Sequence, residues 1–297
     1  MINLRYHIVS LVAVFLALAI GVIAGTTVID QGVVQLLRNQ ANAARDRQAA
    51  LFAENDSLRT TLAVWDAFGE SAAPALVDSA LAGVDVVLIA LQEADADLVA
   101  QVEAGIVTAD GTIAGRLRLT DRWDLESPTI VERLGLAIGT PATGKEQVLQ
   151  RATEALAQRL RSPLAAGAGE DVLTALEDAG FVQREQIGDL PFPPRESLFV
   201  FVGGEAPAIP SADGLVIPLL RLLRSGRAVV ADPLGAMAPV SDLVRRDGDL
   251  RRAVGTVDHV DTVPGRLALV MTLQDLPGAV DHFGTRGADG IVPTFTG

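Results

Sequence analysis

The sequence predicts an α/β protein with an N-terminal transmembrane helix, a parallel dimeric coiled coil and a mostly parallel α/β sandwich domain. An uncharged segment covers residues 8–29, a seven-residue apolar repeat follows it, and short β-rich runs then alternate with helical periodicity. The predicted parts are the cytoplasmic tip and anchor at 1–30, the coiled coil at 31–70, the extracytoplasmic domain at 71–284 and a loose C-terminal tail at 285–297.

Composition limits the classes of function. With 297 residues, 49% of them hydrophobic and 21% charged, the chain can bury a sizeable core. Its 37 acidic and 24 basic residues give a formal net charge of -13, which argues against a nucleic-acid partner because phosphate backbones are repelled. The chain contains no cysteine, which excludes disulfides and thiolate metal sites.

Residues 8–29 are long enough to cross a membrane. At 1.5 Å per residue this segment spans about 33 Å, close to the roughly 30 Å hydrocarbon core of a bilayer. Arg5 precedes it and Asp30 follows it, which predicts a single-pass cytoplasmic membrane protein with its N-terminus in the cytoplasm and its bulk outside. A cleaved signal peptide is the alternative, because Val22-Ile23-Ala24 has the small-residue form of a cleavage site.

Small residues recur at every fourth position within this segment, at Ala17, Gly21 and Gly25. Residues at this spacing share one face of a helix and let two helix backbones approach closely. They are the predicted contacts between two transmembrane helices.

A heptad repeat follows the anchor and predicts a parallel homodimeric coiled coil. Asn55 at an a position favours two strands in register, because a buried amide is satisfied by its twin only in that arrangement. Glu54 at a g position and Arg59 at the next e position attract each other across chains. The alternative is a solitary amphipathic helix folded back on the domain, since several core positions carry small or polar residues. The predicted seam contains Leu37, Ala44, Leu51, Asn55, Leu58, Leu62 and Trp65.

Beyond a joint at Ser71–Pro74, strands and helices alternate, which predicts a mostly parallel sheet between helical layers. The predicted strands cover residues 84–91, 112–120, 197–202, 228–231 and 267–273. The predicted helices cover residues 93–104, 145–161, 170–179 and 215–223.

The loops at the carboxyl ends of these strands are where such sheets usually bind ligands. Residues 92–95 contain two carboxylates and no glycine, so we expect no nucleotide there. We interpret Gly203 and Gly204 as turn formers. No serine lies in a Gly-x-Ser-x-Gly elbow, so the sequence predicts no catalytic residues and no enzymatic activity. A hydrolase that uses the Gly203-Gly204 loop is the least favoured alternative.

Few side chains suit a metal ion. Of the three histidines, His7 lies at the membrane boundary, while His259 and His282 stand beside aspartates and are the candidate metal ligands. We interpret both as surface histidines beside acids. Met271 lies in a predicted core strand, which removes it as a thioether ligand for Cu(I). The residues by themselves predict no cofactor.

Two stretches resemble the actinobacterial MctB copper transport family. The first is Ile2-Asn3-Leu4-Arg5-Tyr6-His7-Ile8-Val9-Ser10-Leu11, which leads into the apolar segment. The second is Gly255-Thr256-Val257-Asp258, followed by Pro264-Gly265-Arg266 and by Phe283-Gly284. The order of anchor, coiled coil and α/β domain is similar over the whole length.

The resemblance implies a role in copper transport or copper homeostasis at the cell envelope, and members have been called outer-membrane channel proteins. A related member, SteB, implies an alternative: a dimeric scaffold in a cell-division complex that regulates peptidoglycan hydrolysis. Copper is implied by the resemblance alone, and the resemblance assigns no ligand role to His259 or His282. One helix encloses no pore and the domain lacks the strands of a membrane barrel, so we expect an inner-membrane tether that carries a dimeric external domain. The resemblance implies an envelope or division protein as its partner.

Overall fold

The computed structural model describes residues 4–140, 144–162, 171–187, 192–208, 212–223 and 226–294. The chain forms two compact units, Met1–Trp65 and Asp66–Gly297. The first unit is helical and the second is an α/β domain.

Helix α1 (Leu4–Leu76) supplies all of the described residues of the first unit. Within it, Arg5–Gly25 is the stretch of the described chain that is long and apolar enough to cross a membrane, and none of it is buried within the chain. The predicted apolar span is therefore helical over its described part. Side chains at 33 to 65 are exposed on every face of the helix.

Helix α1 also continues beyond the predicted joint. Ser71–Pro74 lie inside the helix, which ends at Leu76. Pro74 lacks a backbone N–H and its ring crowds the preceding turn, so it weakens the helix near its end. Within the second unit, the Arg266 guanidinium donates a hydrogen bond to Glu70 at 2.5 Å, which fixes the turn before Pro74.

The described part of the second unit contains a sheet of seven strands. They are β1 (Asp85–Ala90), β2 (Thr112–Leu119), β3 (Val182–Gln186), β4 (Leu198–Val202), β5 (Ala228–Ala231), β6 (Val254–Val257) and β7 (His282–Phe283). Their order in the sheet is β3-β2-β1-β4-β5-β6-β7. Neighbouring strands are parallel except for β2 and β3. The prediction of a mostly parallel sheet is confirmed.

Eight further helices are described in this unit. They are α2 (Ala96–Thr108), α3 (Pro128–Ala137), α4 (Lys145–Leu160), α5 (Val172–Asp178), α6 (Ile217–Leu223), α7 (Val240–Arg246), α8 (Gly248–Arg251) and α9 (Val263–Asp275). A short 3-10 helix covers Asp121–Asp124 and a π-helical turn covers Ala212–Val216.

Helices cover both faces of the sheet. Alternate residues of a strand point to opposite faces, so the burial of both sets shows which helices lie on which side. Val87 and Ile89 are buried in one apolar cluster with α3 to α8. Leu88 and Ala90, on the same strand, are buried in a second cluster with α2 and α9. This two-sided burial explains why the central strands are continuous apolar runs.

The segment Leu267–Leu273, which the sequence predicts as a strand, lies in helix α9; that prediction is wrong. The Thr262 hydroxyl accepts the backbone N–H of Gly265 at 3.1 Å, and Pro264 occupies the first turn. The helix is buried on most sides, so its apolar residues form an unbroken run instead of a helical period. Met271 is accordingly half-buried on a helix and does not lie in a core strand.

Three strands were not predicted. Strand β3 has one apolar residue, Val182, followed by four polar residues, and its exposure alternates because it is an antiparallel edge strand with one exposed face. Strands β6 and β7 have four and two residues, too few for a periodic signal.

Candidate functional site

The carboxyl ends of β1, β4, β5 and β6 lie at one edge of the sheet, which we call the carboxyl edge. The loops there begin near Gln92, Gly203, Asp232 and Asp258. The strand order reverses between β1 and β4, because β2 lies on one side of β1 and β4 on the other. Loops at such a reversal form the usual ligand crevice of an α/β sheet.

Direct packing closes this crevice. The Leu91 backbone N–H donates to the Val202 carbonyl at 3.0 Å, so the two loops start side by side. A Cβ added to Gly204 would overlap the carbonyl of Glu93, and one added to Gly203 would overlap the Asp232 carboxylate. The two glycines thus permit three loops to pack closely, and neither has a positive φ of the kind that turn glycines adopt.

A buried ion pair lies at the end of β6. The Arg245 guanidinium on α7 and the Asp258 carboxylate approach to 2.5 Å, and each side chain is 3% exposed. Arg245 also donates from Nε to the Thr256 hydroxyl at 2.7 Å and from Nη2 to the Phe283 carbonyl at 2.7 Å. Its Nη1 donates to the Arg286 carbonyl at 2.5 Å. One side chain therefore joins α7, β6 and the chain that follows β7.

The Asp258 carboxylate also joins β6 to the chain that follows β7. Asp258 accepts the backbone N–H groups of Thr285 at 2.8 Å and Arg286 at 3.1 Å. Burial by itself raises the pKa of the Asp258 carboxyl, but the Arg245 guanidinium and the Thr285 N–H stabilise the carboxylate and hold that pKa well below its usual range. We call Arg245, Asp258 and residues 283–286 the latch.

The latch requires glycine at position 284. Gly284 has a φ of +149°, and an added Cβ would overlap the Asp258 carboxylate. Its N–H donates to the Gly290 carbonyl at 2.8 Å, which folds the following residues back against β7. Residues 285–290, expected as part of a loose tail, are bonded to the sheet.

His282 lies in the same polar network. Its Nδ1 lies 2.9 Å from the Thr256 hydroxyl and its Nε2 lies 2.8 Å from the Arg251 carbonyl. Since a carbonyl only accepts, Nε2 carries the proton and Nδ1 accepts from Thr256. Burial lowers the pKa of the His282 imidazole, which agrees with a neutral ring. Both nitrogens are in use, so a metal ion would have to break a hydrogen bond to bind there.

His259 differs from His282. It is 4% exposed, its Nδ1 lies 3.7 Å from the Asp258 carboxylate, and neither ring nitrogen has a hydrogen-bond partner among the described residues. The interpretation of His259 and His282 as surface histidines is therefore wrong, because they are 4% and 2% exposed in the folded domain. Within the described part of the chain, no group of three or more His, Cys, Asp or Glu side chains is placed to hold a metal ion.

Asp232, directly after β5, is a second buried carboxylate. It is 1% exposed and accepts the backbone N–H of Ser241 at 2.7 Å. Burial raises the pKa of Asp232 to about 6, against the opposing effect of the Ser241 hydrogen bonds. Sequence reasoning missed Asp232 and Arg245; the signal for Asp232 was an acid immediately after a buried apolar strand.

The predicted helix contacts all lie on α1. Ala17, Gly21 and Gly25 are exposed, and nothing lies within 4 Å of a Cβ added to either glycine. The predicted seam residues are also exposed in the single chain, for example Leu51 at 65% and Leu58 at 57%. Both sets remain predictions about a second chain.

The chain is similar to known proteins over nearly its whole length. Residues 1–293 match the family described as "Copper transport outer membrane protein, MctB". The chain is 30% identical over 309 residues to "Copper transporter MctB" of Mycobacterium tuberculosis (strain ATCC 25618 / H37Rv), which covers 96% of each chain. It is 28% identical over 305 residues to the protein of that name from Mycobacterium leprae (strain TN), which covers 93% of each chain.

The latch predicts a large effect of Arg245→Leu. This substitution leaves the Asp258 charge buried without its partner, and we expect it to lower the free energy of unfolding by about 3–5 kcal/mol. Hydrogen exchange of the full-length protein in detergent should show faster exchange of the amides at 282–290. Arg246→Leu is the matched control, because Arg246 is 77% exposed and contacts Asp242 at 3.4 Å. Equal protection of 282–290 in both variants would contradict the latch.

Asp232 predicts an unusual pH dependence. The pKa of Asp232 is about 6 in the folded protein, above the ordinary value of 3.8. Ionisation of this buried carboxyl therefore lowers the free energy of unfolding as pH rises from about 4 to beyond about 6. Relative to the unchanged protein, Asp232→Asn should gain stability between about pH 4 and pH 7, by on the order of 3 kcal/mol in total. Urea unfolding at several pH values measures this difference. The exposed Asp78→Asn is the control for removal of a carboxylate; identical pH profiles for both variants would refute the assignment.

Proposed function

Because this chain belongs to the MctB family, we propose that it is a non-enzymatic, membrane-anchored envelope protein that contributes to copper transport or copper homeostasis. The single observation that carries the proposal is the family match over residues 1–293. The relatives named above are copper transporters by name, and their alignments cover nearly the whole of each chain. The agreement therefore includes the apolar helix as well as the α/β domain.

We propose that the helix Arg5–Gly25 anchors the protein in the cytoplasmic membrane. Its length and apolar composition support this, as does its complete exposure within the chain, since a buried core helix would be covered by the rest of the fold. Arg5 before the span and Asp30 after it favour a cytoplasmic N-terminus and an extracytoplasmic domain.

We propose that the domain acts through its surfaces. The position where an α/β sheet usually binds a ligand is filled by contacts of Gly203 and Gly204 with the neighbouring loops. The adjacent polar groups are bonded to one another in the latch. These contacts support a rigid body that presents fixed surfaces to other molecules at the envelope.

We propose that two copies pair in parallel through α1. A row of leucines, together with Asn55 and Trp65, lies exposed at heptad spacing in the single chain, and water contact with such a row is unfavourable. Leu51, Leu58 and Leu62 are 65%, 57% and 62% exposed. A division scaffold, the alternative implied by the resemblance to SteB, is not supported by the names of these relatives, and we do not propose it.

Loss of the protein should alter copper tolerance. Cells that lack it should grow more slowly under copper load and contain a different amount of copper than cells in which it is restored. Growth curves and elemental analysis of washed cells measure both quantities. A zinc load is the control, because an effect common to both metals would indicate a general envelope defect. Unchanged growth and unchanged cell copper would contradict the proposed function.

Direct copper binding is tested separately with the purified full-length protein. We expect that His259→Ala and His282→Ala together leave copper binding unchanged in a titration followed by elemental analysis. Tight stoichiometric binding that disappears in the double variant would show that these buried histidines hold the metal.

A single engineered cysteine tests the parallel pair, since the chain has none of its own. In a parallel dimer in register, two residues at position 58 face each other, so Leu58→Cys should form a disulfide-linked dimer in membranes treated with diamide. Non-reducing electrophoresis measures the yield. Thr60→Cys, two residues on and on the outer face of the predicted pair, should link poorly. Equal yields from the two positions would argue against this seam.

A further inference from the structure

A groove crosses the sheet face beside α2. On this face the apolar cluster formed with α2, α9 and the chain after α1 includes β1 and Ile113 at the start of β2, and among the described residues it includes none of β3. Leu88, Ala90 and Val99 form an apolar side of the groove, while Arg116, Arg118 and Glu185 lie on its polar side. Its volume is about 400 Å³. We call it the Arg118 groove.

Arg118 is held rigidly at this groove. Its Nη1 donates to the carbonyls of Leu91 at 3.1 Å, Gln92 at 3.3 Å and Ala94 at 3.0 Å. These three carbonyls lie in or next to the loop after β1. Because all of them accept from Nη1, they hold that end of the guanidinium in place. Among the described residues, Nε and Nη2 of Arg118 have no hydrogen-bond partner, and no carboxylate lies within 4.0 Å of the guanidinium.

Arg116, two residues earlier on the same strand, has the opposite arrangement. Its Nε and Nη2 bind Glu103 at 2.9 and 2.6 Å, and its Nη1 lies 2.8 Å from Glu185. Arg116 thereby binds both carboxylates of this side of the groove, and its single positive charge balances one of their two negative charges. Among the described residues, no carboxylate forms an ion pair with Arg118 itself, in a chain whose formal net charge is -13.

We propose that the Arg118 groove binds a small organic carboxylate with an apolar body. The paired Nε–H and Nη2–H groups of a guanidinium match the two oxygens of a carboxylate, and fixing the guanidinium in advance reduces the entropy lost on binding. The apolar side, which Leu88, Ala90 and Val99 underlie and where Ala96 and Ala100 of α2 are exposed, receives the body of the ligand. A volume of about 400 Å³ is in the range of pockets that hold small molecules.

The proposal does not depend on a role in copper balance. It is tested with the full-length protein in lipid nanodiscs, with hexanoate as the probe and hexanamide as its neutral analogue. Saturation-transfer NMR should detect hexanoate and give at most weak signals for hexanamide, after subtraction of empty nanodiscs. Arg118→Gln should weaken hexanoate binding roughly tenfold or more, since it removes a charge-assisted bidentate contact. Arg118→Lys should bind hexanoate with intermediate strength, because lysine keeps the positive charge but lacks the paired N–H donors of the guanidinium.

Two further variants separate binding from folding. Arg227→Gln removes another arginine that caps a backbone carbonyl, that of Arg195 at 2.9 Å, and should leave hexanoate binding unchanged. Ala100→Trp places a large side chain in the Arg118 groove from the exposed side of α2 and should abolish binding while Arg118 is intact. Equal binding of hexanoate and hexanamide, or full binding by either Arg118→Gln or Ala100→Trp, would overturn the proposal.

Discussion

The buried ion pair between Arg245 and Asp258 is the interaction on which the end of the fold depends. Removal of two charges from water costs several kcal/mol per ion, roughly, and is offset only when their remaining hydrogen-bonding groups are satisfied. Here Phe283 at the end of β7 and the two residues Thr285 and Arg286 satisfy most of them, through carbonyls toward the guanidinium and N–H groups toward the carboxylate. Strand β7 has two residues, too few to hold this edge of the sheet by ladder bonds alone.

The latch and the closed crevice are consequences of the same close packing. The carboxyl edge of a parallel sheet concentrates loop ends, and in many proteins the loops stay apart to admit a ligand. In this protein Gly203, Gly204 and Gly284 let the backbone and carboxylates of the described loops approach closely at this edge. The exposed row on α1 and the groove beside α2 are the surfaces through which we propose that this protein binds other molecules.

Sequence reasoning succeeded where a local pattern carries the structural information. Strands β1, β2, β4 and β5 are apolar runs bounded by turn residues, and their positions were predicted to within a few residues. It failed at Leu267–Leu273, because a helix buried on most sides loses its period and resembles a buried strand. The cap at Thr262 and Pro264 was a readable signal for that helix.

The sequence by itself determined the apolar helix, the heptad row and the mostly parallel α/β character, because each depends on residues that are near neighbours along the chain. Only the tertiary structure decided that His259 and His282 are buried, that residues 285–290 are bonded to the sheet, and that Arg245 pairs with Asp258. Such pairings depend on how loops from separate strands meet at one edge. Their sequence separations follow no fixed spacing, since the order of strands in space is set by packing of the whole sheet.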